Sequence, residues 1–303
     1  MLDGINLDPI AFTIPIGEGF AIYWYGILIA VGIAIGAWWA GNAIERRGES
    51  SDQLYNGLLL VVIAGYIFAR LGYVLQDELV NPGTQYNTLF EVFNLRGGGA
   101  NILAGFIGAT FVGIWFTRWQ KLGSWHYADV TGPTILIAQG IGRWGNFINQ
   151  ELYGPPTTRP WGILIDAQSR IAPYNDLATY PIDTRFHPTF LYESVALIIG
   201  FILLVYLNNR YQDQFKPGTL FSLFLIWWGG NRAWVELFRA DQPRLGDTFL
   251  SASMLASVGL ALVGVFLLLY LYDKLPESER SRRRKLRQNT RVAKPKRRRA
   301  ETE

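Results

Sequence analysis

The chain has 303 residues, 50% hydrophobic and 15% aromatic, with 11 Trp, no Cys and a formal net charge of +4. Without Cys there are no disulfides, no thiolate metal ligands and no cysteine nucleophile. The only histidines are His126 and His187, and neither has metal-ligand spacing around it, so neither a metal nor a cofactor is expected.

The apolar residues come in long runs. No charge falls between Glu18 and Glu45, or between Asp247 and Asp273. Each gap exceeds the roughly 20 residues a helix needs to cross a bilayer core. The runs lack the alternation of a transmembrane barrel. The expected fold class is therefore an all-α integral membrane protein with seven transmembrane helices. These lie near 21–43, 54–75, 97–117, 129–149, 188–207, 218–238 and 248–272.

The first run has no Lys or Arg before it and outlasts a signal-peptide core, so a permanent helix is expected there. Trp24, Trp38 and Trp39 on it, with Trp115, Trp119, Trp125, Trp227 and Trp228 further on, suit aromatic belts and core packing. Span two carries Arg70, either an ion-pair partner for a glutamate on another span or a snorkelling side chain. Arg96-Gly97-Gly98-Gly99 resembles a phosphate loop in composition only, since the Lys-Ser/Thr ending is missing. His126 lies beside a loop with Trp125 and Tyr127, an interfacial setting.

Span four ends in Gly142-Arg143-Trp144-Gly145-Asn146-Phe147-Ile148-Asn149-Gln150-Glu151-Leu152-Tyr153-Gly154. Such residues are costly in lipid and mark function more often than structure. A helix continued to its end puts Arg143, Asn146 and Gln150 on one face, with Phe147 and Glu151 on an adjacent stripe. An Arg–Glu pair that merely locks helices together is the plainer alternative. Residues of about 150–187 cannot span, and form a small external head or arm between helices four and five. Tyr153, Trp161, Ile163, Ile165, Tyr174 and Tyr180 are its candidate core.

Span five opens on His187-Pro188, with Glu193 in its second turn and Pro188 as the first helical residue. Span six places Arg232, Glu236 and Arg239 on one face. With Arg143 these leave an excess of guanidinium, which suits a phosphate, and lipid headgroups are the anions at that depth. His187 is a base, a cap or a solvated loop residue.

Loops after spans one, three and five hold Arg46, Arg47, Arg118, Lys121, Arg210 and Lys216, while Met1 to Phe20 has no basic residue. The positive-inside rule then puts the N-terminus outside and the C-terminus in the cytoplasm. Residues 1–272 form the membrane domain and 273–303 a basic, disordered tail. That tail holds 13 basic and five acidic residues, so the rest of the chain carries −4. Arg282–Lys285 and Lys294–Arg299 are read as topology signals that touch anionic membrane lipid, and nucleic acid is not expected as a partner.

The 142–154 segment resembles in full the signature of the bacterial prolipoprotein diacylglyceryl transferase family. Trp24-Tyr25-Gly26, His187-Pro188 with Leu191-Tyr192-Glu193, and Asn231-Arg232 with Val235-Glu236-Leu237-Phe238-Arg239 resemble further family segments in the same order. The resemblance implies a seven-helix inner-membrane enzyme with an outward head. Its implied activity moves the diacylglyceryl group of phosphatidylglycerol to the lipobox cysteine of a prolipoprotein. A thioether forms and glycerol-1-phosphate leaves. It implies catalytic roles for Arg143, Arg232, Glu151, Glu236, Asn146 and Tyr25. Phosphatidylglycerol is expected to be bound by Arg143, Arg232, Asn146, Gly154, Arg239 and His187.

Two positions depart from the family pattern. Leu103 stands where the family usually has a histidine proposed as a base, and Trp228 stands where it has a tyrosine. With Leu103, the thiol's proton acceptor is open among Glu151, Glu236 and His187, or is dispensable if the arginines suffice. The competing expectations are an anion or lipid transporter using the same arginines, and an inactive lipid-binding family member.

Overall fold

The computed structural model describes residues 8–15, 19–83, 86, 88–92, 99–239, 248 and 250–273. The basic tail from Lys274 onward, with Arg282–Lys285 and Lys294–Arg299, lies outside them, as do Arg96, Gly97 and Gly98. Among the described residues there are seven helices of 18 residues or more: α1 (Trp24–Glu45), α2 (Ser51–Val80), α4 (Ile102–Trp119), α5 (Ser124–Ile148), α6 (Thr189–Tyr211), α7 (Thr219–Glu236) and α8 (Ala252–Leu271). They fall on the seven apolar stretches of the sequence. Four of them, α1, α2, α6 and α8, are long and apolar enough to cross a membrane. The shortest helices have 18 residues, about 27 Å of rise, which approaches a bilayer core.

The chain is mostly helical rather than all-α. A hairpin of β1 (Ile10–Ile14) and β2 (Phe20–Tyr23) precedes α1, and β3 (Ile163–Leu164) pairs with β4 (Arg185–Phe186). A one-turn helix, α3 (Leu89–Val92), follows α2. Strands this short carry too little alternation to announce themselves within an apolar sequence.

Side-chain caps fix several helix starts. Ser50 accepts from Gln53 N, Asn101 from Ala104 N, and Ser251 from Met254 N. Pro188 is the N-cap of α6 rather than its first helical residue, a one-residue shift at a helix boundary.

Helix α1 lies against α5, α2 against α4, and α7 against α8, while α5 also packs on α6 and α7. The α1–α5 contact is close because α1 presents two glycines one turn apart. A Cβ on Gly32 would come 2.7 Å from Ala138 Cα, and one on Gly36 2.7 Å from Thr134 Cβ. Small residues at this spacing let helix backbones approach where lipid supplies no hydrophobic drive. By contrast, α2 turns Leu59, Leu75 and Leu79 outward, as a lipid-facing helix does.

One end of the bundle is tied by a buried carboxylate. Asp129 on α5, 2% exposed, accepts from Gly218 N at 2.9 Å and Phe221 N at 2.8 Å, so it caps α7. Gly218 itself contributes no side chain and sits at φ +96°. Arg47 pairs with Asp129 at 3.1 Å and donates to Asn208 Oδ1 of α6 at 2.6 Å. This clamp joins the chain after α1 to α5, α6 and α7.

Arg70 is 5% exposed and so does not snorkel. It donates to the carbonyls of Val92 at 2.7 Å, Gly99 at 3.1 Å and Glu91 at 3.2 Å. It thereby satisfies backbone acceptors at α3 and at Gly99, just before α4. His126 pairs with Glu49 at 3.2 Å.

The 150–187 segment folds over its own core. Tyr153, Ile163, Ile165, Phe186 and Phe190 are buried together, with Tyr174, Trp144 and Phe147 packed on them. Arg170 ties the segment by donating to the carbonyls of Ile165, Tyr180, Pro181 and Ile182. Tyr180 joins through an edge contact with Tyr174, whereas Trp161 is 51% exposed and packs outside this core.

Candidate functional site

The polar residues of α5, α6 and α7 meet at the end of the bundle opposite Asp129. Arg143 on α5 donates through Nη2 to Glu193 Oε1 at 2.7 Å and through Nη1 to Asn146 Oδ1 at 3.2 Å. Asn146 donates to Glu151 Oε1 at 2.8 Å, and Asn149 to the same oxygen at 3.3 Å. On α7, Arg232 Nη2 lies 3.1 Å from Glu236 Oε2, one turn along. Arg232 Nη1 lies 4.0 Å from the Glu193 oxygen that Arg143 holds. Ser251, before α8, donates to Glu236 Oε1 at 2.7 Å. A continuous chain thus runs from Asn149 through Glu151, Asn146, Arg143, Glu193, Arg232 and Glu236 to Ser251.

Glu193 sits between the two arginines, which changes the charge balance expected from spacing. Among the described residues, Arg143, Arg232 and Arg239 are matched in number by Glu151, Glu193 and Glu236. What the site offers an anion is unused donors. Arg143 Nε and Arg232 Nη1 are buried and have no hydrogen-bond partner among the described residues. Buried donors of this kind are rare and require a reason.

The helix does not continue through the signature as expected. It ends at Ile148, and Gln150 and Leu152 adopt left-handed φ of +53° and +56°. Gln150 therefore leaves the Arg143 face and exchanges two bonds with Asp166, at 2.9 and 2.7 Å. The same turn carries Glu151 back onto Asn146. Phe147 stacks on Phe190, with ring centroids 4.9 Å apart.

The remaining expected residues stand around the network. Tyr25 packs on Gly145, where a Cβ would come within 2.3 Å of its ring. With β2, Gly26 and Asn149, Tyr25 lines an open cavity of about 620 Å³. Gly154 donates its N–H to His187 O at 2.8 Å. Any side chain there would meet Phe238 O at 2.6 Å and His187 Cβ at 2.9 Å, so its place is set by close packing. Arg239 follows α7 and donates its backbone N–H to Glu236 O at 3.3 Å. Leu103 lies in the first turn of α4.

Among the described residues, His187 has no hydrogen bond to the arginine chain. Its Nδ1 lies 2.9 Å from Tyr192 Oη, which receives the indole N–H of Trp161 at 2.7 Å. Trp161 can only donate, so Tyr192 Oη accepts there and keeps its own O–H available for Nδ1. Burial, with a smaller push from the Arg159 cation, lowers the His187 pKa below its usual 6.5. A depressed histidine pKa stabilises the fold above the unfolded value, and that contribution is lost as pH falls through the folded one. We therefore expect more than half of His187 to be neutral at pH 6.5 when its ring is followed by NMR; a ring half-protonated or more at that pH would contradict this.

Sequence spacing missed Glu193 and Ser251 as members of the network. Glu193 had a visible signal, a carboxylate two turns or less into an otherwise apolar helix. Ser251 had none, since its role depends on how α8 meets α7.

Several helices fit to cross a bilayer, with ionised side chains linked inside the bundle, define a multi-pass membrane protein with a buried polar site. The sequence profile of prolipoprotein diacylglyceryl transferase matches residues 9–270, and the chain belongs to that family. A Chloroflexus aggregans protein named phosphatidylglycerol–prolipoprotein diacylglyceryl transferase is 41% identical over 244 residues, covering 77% of this chain and 78% of the relative. Proteins of the same name from Bacillus cereus strain G9842 and Bacillus mycoides are each 35% identical over 253 residues, covering 82% of this chain and 88% of theirs.

Proposed function

We propose that the chain transfers the diacylglyceryl group of phosphatidylglycerol to the thiol of a prolipoprotein lipobox cysteine. The carrying observation is that Arg143 and Arg232 flank Glu193, each with a buried unused donor. The shared name of relatives that align over most of the chain supplies the substrates.

In this reaction the cysteine sulfur attacks a glycerol carbon of the lipid. A C–S bond forms and the C–O bond to phosphate breaks. The electron pair leaves with the phosphate, and glycerol-1-phosphate departs carrying the proton that the thiol has given up. A thiol of pKa about 8.5 is only a few per cent ionised at pH 7, yet the thiolate is strongly nucleophilic. The two guanidinium groups stabilise charge on the leaving phosphate and favour a nearby thiolate. Asn146 and Glu236 hold them in place. Glu151 and Glu236 are the acceptors available for the proton. His187 is assigned to the headgroup rather than to the thiol. Tyr25, Gly154 and Arg239 bound the site.

The same proposal includes seven membrane crossings in a bacterial inner membrane. The 150–187 head lies outside with the N-terminus, and the basic tail lies in the cytoplasm. Residues 1–272 are the catalytic domain. The loop charges support this orientation.

Purified protein incubated with phosphatidylglycerol and a lipobox peptide is expected to yield the thioether and glycerol-1-phosphate. If lipid stays bound and no thioether forms, the protein is a binding member of its family. Anion flux into vesicles without transfer would make it a transporter. Leu103→His is expected to change the rate by less than about tenfold, because the arginines carry the chemistry. A gain on the order of 10²–10⁴, the usual contribution of a general base, would show that the chain lacks one.

A further inference from the structure

We propose that Asn231 selects the lipid headgroup, its side-chain amide accepting a hydroxyl of the phosphoglycerol. This rests on the transferase function proposed above.

Asn231 is 9% exposed, and both its Nδ2 and its Oδ1 are buried with no hydrogen-bond partner among the described residues. Each unmet buried polar group carries the full cost of its desolvation. An apolar side chain of similar size would avoid that cost in the protein alone. An amide here is accounted for by a partner that arrives from outside.

The helices show where that partner sits. One turn before Asn231 on α7 stand Trp227 and Trp228. Trp227 donates to Ala196 O on α6 at 3.0 Å, and Trp228 to Gln139 Oε1 on α5 at 2.8 Å. Asn231 lies at i+4 and i+3 from these two, so it shares the face they turn to α5 and α6. Helix α5 runs parallel to α7, and Arg143 is one turn beyond Gln139. Helix α6 runs the other way, and Glu193 is about one turn before Ala196. Asn231 is therefore at the level of the Arg143–Glu193 pair and on the side that faces it.

The orphaned atoms then specify a ligand. Arg143 Nε, Arg232 Nη1 and Asn231 Nδ2 are donors, and Asn231 Oδ1 is an acceptor. A phosphodiester alone has only acceptors and would leave Oδ1 unmet. A phosphodiester bearing a hydroxylated headgroup meets all four. Phosphoglycerol has both parts.

The test compares transfer from phosphatidylglycerol with transfer from phosphatidylethanol, which keeps the phosphodiester and lacks headgroup hydroxyls. The parental chain is expected to favour phosphatidylglycerol in kcat/KM by on the order of 10–100-fold, the worth of one buried hydrogen bond. In Asn231→Leu that preference falls to within about threefold, the loss falling on phosphatidylglycerol. The thermal midpoint of the lipid-free variant stays level or rises, whereas a structural role would lower it. Asn231→Ala carries the same comparison if the leucine variant does not fold. The proposal is overturned if the variants keep the preference or if both lipids lose equally. Parental protein that uses both lipids equally overturns it too, while leaving the transferase function standing. Parental protein that transfers neither lipid removes that function and this inference with it.

Discussion

Arg143→Ala is expected to lower diacylglyceryl transfer by about 10²–10³, the usual loss when one preorganised charge donor is removed, and Arg232→Ala by a similar factor. Each guanidinium is fixed by the protein and keeps one nitrogen in reserve. Arg143 spends Nη2 on Glu193 and Nη1 on Asn146, leaving Nε. Arg232 has Nη2 against Glu236 and Ser253, leaving Nη1. Two planar groups held this way need not reorganise when charge appears on the leaving phosphate. Lysine cannot copy the arrangement, because a single ammonium cannot hold two partners in the guanidinium plane and present a third donor. Arg143→Lys should therefore keep most of the stability, since Glu193 retains a cation, and still lose most of the activity. Thioether formation by purified variants measures this. The parental rate in either alanine variant would refute the mechanism.

The largest effect on stability is expected from Asp129→Ala, about 3–5 kcal/mol, the range for breaking a buried pair on one side. The substitution strands the Arg47 guanidinium and removes the acceptor for Gly218 N and Phe221 N at the start of α7. Domains hold only about 5–15 kcal/mol in total, so this is a large share. Asp129→Asn keeps an acceptor oxygen and should cost less. Unfolding of detergent-solubilised variants reads the difference. The Arg47→Ala, Asp129→Ala double variant should be less destabilised than the two single losses added together, because the stranded charge is gone. Additive losses would mean that the two residues act separately.

The seven long helices and the 142–154 cluster were legible in the sequence because both follow from local rules. Apolar run length marks helices, and charge inside such a run marks a site. The core of the 150–187 segment was legible for the same reason in Tyr153, Ile163, Ile165 and Tyr174. What failed was extrapolation of helical periodicity past Ile148. Two left-handed residues redirect the chain there, so Gln150 serves Asp166 and Glu151 serves Asn146. The balance of charge also escaped, because Glu193 lies 50 residues from Arg143 in sequence. Arg70 shows the limit from another side. Three of its partners are backbone carbonyls, which every sequence contains and none advertises.

The two buried clusters differ in when the growing chain can complete them. Arg47, Asp129 and Asn208 are all synthesised before Gly218, so α7 meets a finished cap as it emerges. Glu236 waits for Ser251, which comes only with α8. A nascent chain halted after α7 would thus have its clamp closed and its polar chain still missing a member. In chain order the seat for α7 is complete before the polar cluster is.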